Sequence, residues 1–357
     1  MTRTNATLLL LSAVALAGVV WVGARSTTAA APLVPDAIAL HLHAVEQPAG
    51  TDARAPSFSP KGVMIAFEAW RDGAPQVLVS LMGHAAPTDH PVAVPLRGQA
   101  PDAAVRQPVW HPEPKLFVTG AAEAGERLWF VAPGPGHDAV PLLSAELAPG
   151  LQSDAQVCSS GLTLLWLSEV GVQRWQRGRD EQPVTVLAGA DLHGLSAAAR
   201  CDRVLTARGE QVVMAPIGEG ETTVLSEAGR GVVFVGDQPV WFERAGEAWQ
   251  LRLGEAGAIL ADDVALPPSE RPGVAEDGDW VLWSRPDGGG LIWAYHLPDQ
   301  REVVLDTSLE QVGDLDVAQG FGQTWLAVTG RAKDSLHDGL FVVQLTEALG
   351  PPASESP

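Results

Sequence analysis

Lysine, asparagine and cysteine are scarce in this chain of 357 residues. Three Lys stand against twenty Arg, Asn5 is the only Asn, and there are two Cys. The first two shortages reflect the base composition of a genome, and no mechanism attaches to them. Positive charge is short altogether: the net charge is −20, so the surface repels phosphate backbones and nucleic acid is excluded as a partner. The signatures of nucleophilic and metal-assisted chemistry are missing too, with no G-x-S-x-G, no H-E-x-x-H and no G-x-x-x-x-G-K-[ST] anywhere. No residue set specifies a reaction, and no cofactor or bound metal is expected. Beyond the N-terminal leader, no apolar stretch is long enough to cross a membrane.

The leader itself is distinct. Thr2-Arg3 supplies one positive charge, and nothing ionisable follows until Arg25, with 6–22 almost wholly apolar. This predicts export, in one of two forms. The small residues Thr27-Thr28-Ala29-Ala30-Ala31 offer a cleavage site for a removed signal peptide, whereas the length of the apolar run suits a retained anchor. Either way residues 1–31 are targeting sequence, the rest of the chain lies outside the cytoplasmic membrane, and only a retained leader would touch lipid. No Cys stands nearby to carry a lipid. Losing Arg3 and Arg25 with the leader would take the net charge to −22.

What the chain has in quantity is turn residues: 28 Pro and 37 Gly beside a hydrophobic content of 46%. That suits many short strands joined by tight turns. The stretch 55–82 shows the unit. An apolar segment ends at Phe58, a turn follows at Ser59-Pro60-Lys61-Gly62, then a strand 63–67, a turn at Arg71-Asp72-Gly73 and a strand 76–81. Fainter copies are anchored at Trp110, Val157, Ala198, Phe234, Val274 and Val317, at steps of 52, 47, 41, 36, 40 and 43. A mean period of about 43 is that of four short strands per propeller blade. An aromatic follows each anchor by seven to nine residues (Phe67, Phe117, Trp166, Phe242, Trp283, Trp325), except in the fourth unit, where Ala207 stands instead. The Trp residues recur at repeat-phased strand positions and read as blade-packing core rather than a sugar platform.

The seventh unit runs out of chain before its fourth strand, after which 348–357 is a disordered tail. The unpartnered segment 37–42 (AIALHL) is expected to pair with 340–344, complete the last blade and remove two exposed edges. The expectation is an all-β propeller over residues 35–347, of about seven four-stranded blades, with six as the alternative if the short fourth unit is only a loop.

The unit resembles the TolB-like propeller repeat, whose consensus runs as a W-S-P-D-G turn, an I-A-F strand, an S-D-R-D-G-N-P turn and an I-Y-V strand. Phe58-Ser59-Pro60-Lys61-Gly62, Ile65-Ala66-Phe67 and Arg71-Asp72-Gly73-Ala74-Pro75 stand at the matching positions. Pro108-Val109-Trp110-His111-Pro112 keeps the turn in the second unit, and later copies decay to Ser159-Ser160-Gly161 or Glu276-Asp277-Gly278. The resemblance implies a non-enzymatic binding or scaffold protein of the cell envelope, monomeric and soluble once cleaved. In that group a six-bladed ring would be the commoner form. The competing class is a propeller hydrolase or lyase, whose His, Asp or Glu side chains would converge at the channel mouth from several blades.

Four sets of residues are candidate sites. Asp314 and Asp316 alternate with Leu315 and Val317 on what should be the innermost strand of unit seven, where a channel-facing carboxylate pair could hold a cation or a basic peptide segment. The plain alternative is a pair of solvated acids in an acidic chain, like Asp262-Asp263 and Glu276-Asp277-Gly278-Asp279. Cys158 and Cys201 follow the anchors of adjacent units at +1 and +3, so a disulfide between blades is open to them in an oxidising compartment, as are two free thiols. His41 and His43 share one face of the closing strand, but no third metal ligand is near them in sequence. His84, His90 and His111 are expected on solvated loops.

Overall fold

The structure is a computed structural model that describes residues 37–345, apart from 84–86, 88–89, 114, 123–124, 133–136, 145, 159, 275–278 and 321. The leader, His84, Glu276-Asp277-Gly278 and the tail 348–357 therefore lie outside the described residues. Among the described residues there is no helix; seven sheets, each with an antiparallel four-stranded blade, are arranged as a β-propeller. The innermost strands are Asp52–Phe58, Val105–His111, Ser153–Val157, Leu192–Ala197, Gly229–Val235, Gly273–Val274 and Gln311–Gly320. They belong to blades 1 to 7 in chain order, and the anchors of the first six units fall at or next to their ends, while Val317 lies three residues inside the end of its longer strand. The ring has seven blades, not six: the short fourth unit is a complete blade, from Leu192–Ala197 to Thr223–Ser226.

Each blade is buried on both faces because the side chains of its middle strands alternate between two neighbours. In blade 1, Ile65, Phe67 and Ala69 pack toward blade 7, while Met64 and Ala66 pack toward blade 2. The core is accordingly divided into seven clusters, one for each seam between blades. Trp166, Trp241 and Trp325 are among the largest fully buried side chains, in the packing role expected of them.

Closure by the N-terminal segment is present, but its register differs from expectation. The strand completing blade 7 is His43–Val45, antiparallel to Gly339–Gln344 with His43 opposite Val342 and Val45 opposite Leu340. Residues 37–42 do not pair there. Instead Ile38–Ala39 adds a fifth, parallel strand to the outer edge of blade 6, opposite Leu305 and Asp306. One strap thus covers two adjacent outer edges, and its apolar side chains Leu40 and Val45 are buried in different seams. The longer alternating run looked like the closing strand; the three-residue strand that follows it has Val45 positioned to drop into the core between blades 7 and 1.

Most innermost strands are kinked at the same place. A register shift falls between Arg54 and Ser57, Arg106 and Val109, Ser153 and Gln156, His193 and Leu195, Arg230 and Val233, and Val312 and Leu315. In blades 1 to 3 the bulge holds a non-glycine residue in left-handed backbone, Ala55 (φ 45°), Gln107 (φ 54°) and Asp154 (φ 48°). Such a conformation costs about 1 kcal/mol or more per residue and persists only where neighbours hold it.

Candidate functional site

The held bulges line a cavity of about 430 Å³ at the end of the channel where the innermost strands begin. Their amides are taken by acceptors from the preceding blade. The Ala55 amide donates to Asp314 Oδ2 at 2.9 Å, the Gln107 amide to Glu68 Oε1 at 2.7 Å, and the Asp154 amide to the Gln107 side-chain oxygen at 3.2 Å. Three consecutive seams are thereby stitched by the same device, a side-chain acceptor on a strained amide.

The segment from blade 5 to blade 6 folds over this end of the channel. The Ser269 amide donates to Asp314 Oδ1 at 2.7 Å, Glu270 pairs with Arg230 at 3.0 Å, and Arg271 reaches Asp154 at 2.8 Å. Blades 3 and 6 lie on opposite sides of the ring, so the Arg271–Asp154 pair spans the channel. Two more guanidinium groups face the cavity: Arg106, paired with Glu126, and Arg54, which stacks 4.8 Å from the Trp70 ring centroid. The cavity is therefore of mixed charge rather than simply acidic.

Glu68 stands out among its carboxylates. It is 5% exposed, and burial pushes its carboxyl above the usual range, opposed by hydrogen bonds from the Gln107 amide and from Trp70 Nε1 at 2.6 Å. The sequence carried a signal for it, an acid in the middle of the otherwise apolar run of strand Met64–Arg71, that strand periodicity alone did not single out.

Asp314 and Asp316 do lie at the cavity, and both accept backbone amides there. Asp314 is 1% exposed with one amide on each oxygen, and Asp316 Oδ2 accepts the Phe58 amide at 2.7 Å. Both join blade 7 to blade 1. Cys158 and Cys201 are placed as a disulfide pair across the seam of blades 3 and 4, with Cα atoms 5.7 Å apart. His41 and His43 are exposed, and His41 lies between the two strands of the strap rather than in either. Among the described residues no three His, Cys, Asp or Glu side chains gather as a metal ion would need. His90 pairs with Glu46 on the surface. His111 is no solvated loop residue: it ends an innermost strand, its Nε2 meets Gly161 O at 2.9 Å and its Nδ1 accepts the Glu113 amide at 3.0 Å.

A ring of four-stranded antiparallel blades around a polar channel defines the class: a seven-bladed β-propeller. No protein-family model matches the chain, and no curated protein matches it. Among solved structures, TolB from Acinetobacter baumannii is similar at a TM-score of 0.50 and 14% sequence identity, over 71% of this chain and 66% of that one. The chain thus spans just under two thirds of that protein's length, and the likeness is one of fold. Because 801 solved chains match, the fold is widely shared and selects no activity by itself.

Proposed function

We propose that this chain is an exported, non-enzymatic binding propeller of the cell envelope, which holds a basic segment of a protein partner at the channel cavity. The observation carrying this reading is the ion pair across the channel, Arg271 on Asp154 at 2.8 Å. An internal guanidinium sits on the carboxylate that an incoming Lys or Arg would use. A partner cation exchanges with Arg271, and the freed guanidinium binds an acidic group of the same segment in a cavity that Arg54 also lines. Net charge of −20 steers a basic partner toward the surface, over a range of about 8–10 Å at ordinary salt. The envelope location rests on the export leader in the sequence. Asp314 and Asp316 serve here by holding the cavity wall rather than by touching the partner.

Partners captured from envelope extracts on the full chain test the proposal. Asp154→Asn, which tolerates left-handed backbone, should weaken retention, Arg271→Ala should strengthen it, and the association rate should fall as salt rises. Equal retention by both variants overturns it. The hydrolase or lyase reading has one observation in its favour, the raised carboxyl of Glu68 at the same cavity. Turnover of a small substrate by the purified chain, lost in Glu68→Gln, would replace the binding reading with that one.

A further inference from the structure

Among the described residues, the seam between blades 2 and 3 is packed by the buried side chains Leu128, Leu143, Ala148, Ala155, Leu164 and Trp166. Beside it opens a cleft of about 300 Å³, at the far ends of the innermost strands from the channel cavity. That volume falls at the lower end of small-molecule sites, roughly 300–1,000 Å³. Phe117, Phe130 and Leu142 of blade 2 form one wall, and Val157, Leu164 and Trp175 of blade 3 the other.

The polar groups of the cleft are few and specific. His111 bridges the two blades with both ring nitrogens engaged, Nδ1 with the Glu113 amide at 3.0 Å and Nε2 with Gly161 O at 2.9 Å. Lys115 and Arg177 stand at the mouth. Lys115 is paired with Glu113 at 2.6 Å, and Arg177, exposed and in no direct ion pair among the described residues, stands near enough to that carboxylate to help lower its pKa, so the two cations share one acid and the mouth keeps a net positive charge. An apolar slot entering between two sheets, with an exposed planar guanidinium at a mouth where two cations face one carboxylate, suits a ligand with a hydrophobic body and one anionic end. A surface of net charge −20 makes a cationic mouth the exception, and so a selective feature.

We propose that this cleft is a second binding site, separate from the channel, for a small amphipathic carboxylate: an aliphatic or aromatic body seated between Phe130 and Trp175, with its carboxylate on Arg177. Decanoate below its micellar concentration is the probe, titrated into the full chain by calorimetry, with decanol and decylammonium as comparisons. Decanoate should saturate a single site at least tenfold more tightly than decanol, and decylammonium should bind more weakly than either. Arg177→Gln should bring decanoate down to the affinity of decanol and leave decanol unchanged. Val157→Phe should abolish binding of both by filling the slot; if that variant does not fold, Leu142→Phe fills it from the opposite wall. Absence of saturation, or equal decanoate affinity in wild type and Arg177→Gln, overturns the proposal.

Discussion

The seam between blades 7 and 1 and the seam between blades 3 and 4 join similar sheets by different means. At the first, blade 7 is finished by a strand from the other end of the chain, and Asp314 and Asp316 reach across to the Ala55 and Phe58 amides. Backbone is close enough there that a side chain on Gly62 would meet Gly320 Cα at 2.8 Å. At the second, consecutive blades meet over an apolar cluster, and Cys158 with Cys201 crosses the seam. Apolar packing is non-directional and does not by itself set register; at the closing seam, as at the two seams that follow it, side-chain acceptors on strained amides do so, whereas the seam of blades 3 and 4 carries a covalent link.

That contrast can be broken at several strengths. Deleting Ala37–Val45 strips the outer strand from blade 7 and the fifth from blade 6 and removes Leu40 and Val45 from two cores. The protein should aggregate or melt far below wild type, and an unchanged melting temperature would refute closure by this strap. At the seam of blades 3 and 4, Cys158→Ala with Cys201→Ala opens a loop with a sequence separation of 43. The chain-entropy model then gives a loss of about 4 kcal/mol, less any native strain. Denaturant midpoints measure it, and the intact protein purified under oxidising conditions should be two hydrogens lighter than its reduced form.

Asp314→Asn comes next. It turns a donor toward one of the two amides that Asp314 accepts, at a cost of about 3 kcal/mol in unfolding free energy. Asp316→Asn at its more open position should cost less, and equal losses would count against the difference in burial. The smallest effect concerns Glu68. Its carboxyl is raised in the folded state, so folding carries a penalty that is present above the folded value and relieved as pH falls toward the unfolded one. Wild type should therefore gain stability relative to Glu68→Gln as pH drops from neutral into the weakly acidic range. Parallel melting curves across that range would mean that Glu68 is not held neutral more readily by its burial.

Much of the ring was legible because burial on both faces of every blade forces a repeated pattern: an anchor before a turn, an aromatic in the second strand, an apolar third strand. The phase of Phe58, Trp110 and Val157 alone indicates where three innermost strands end. Closure was legible as a need but not in register, since strands of two and three residues are too short for alternation to show. The cavity was hardest to read. Arg54, Glu68, Arg106, Asp154 and Arg271 come from four parts of the chain and share no spacing, and only the ring brings them together. Asp314 and Asp316 were visible by their alternation, yet their bonds to Ala55 and Phe58 depend on a kink whose left-handed residue is an alanine, which announces nothing.

The strap also sets an order of events. Its residues leave the ribosome ahead of every blade, yet the hydrogen bonds of His43–Val45 go to Gly339–Gln344, almost three hundred positions later. No local choice can satisfy them early, so blades 1 to 5 can assemble while the beginning of the chain waits for its end. An emerging chain is therefore an open ring with unpaired strand edges until the last blade arrives, and it is during that interval, rather than after closure, that chaperones and proteases have most to act on.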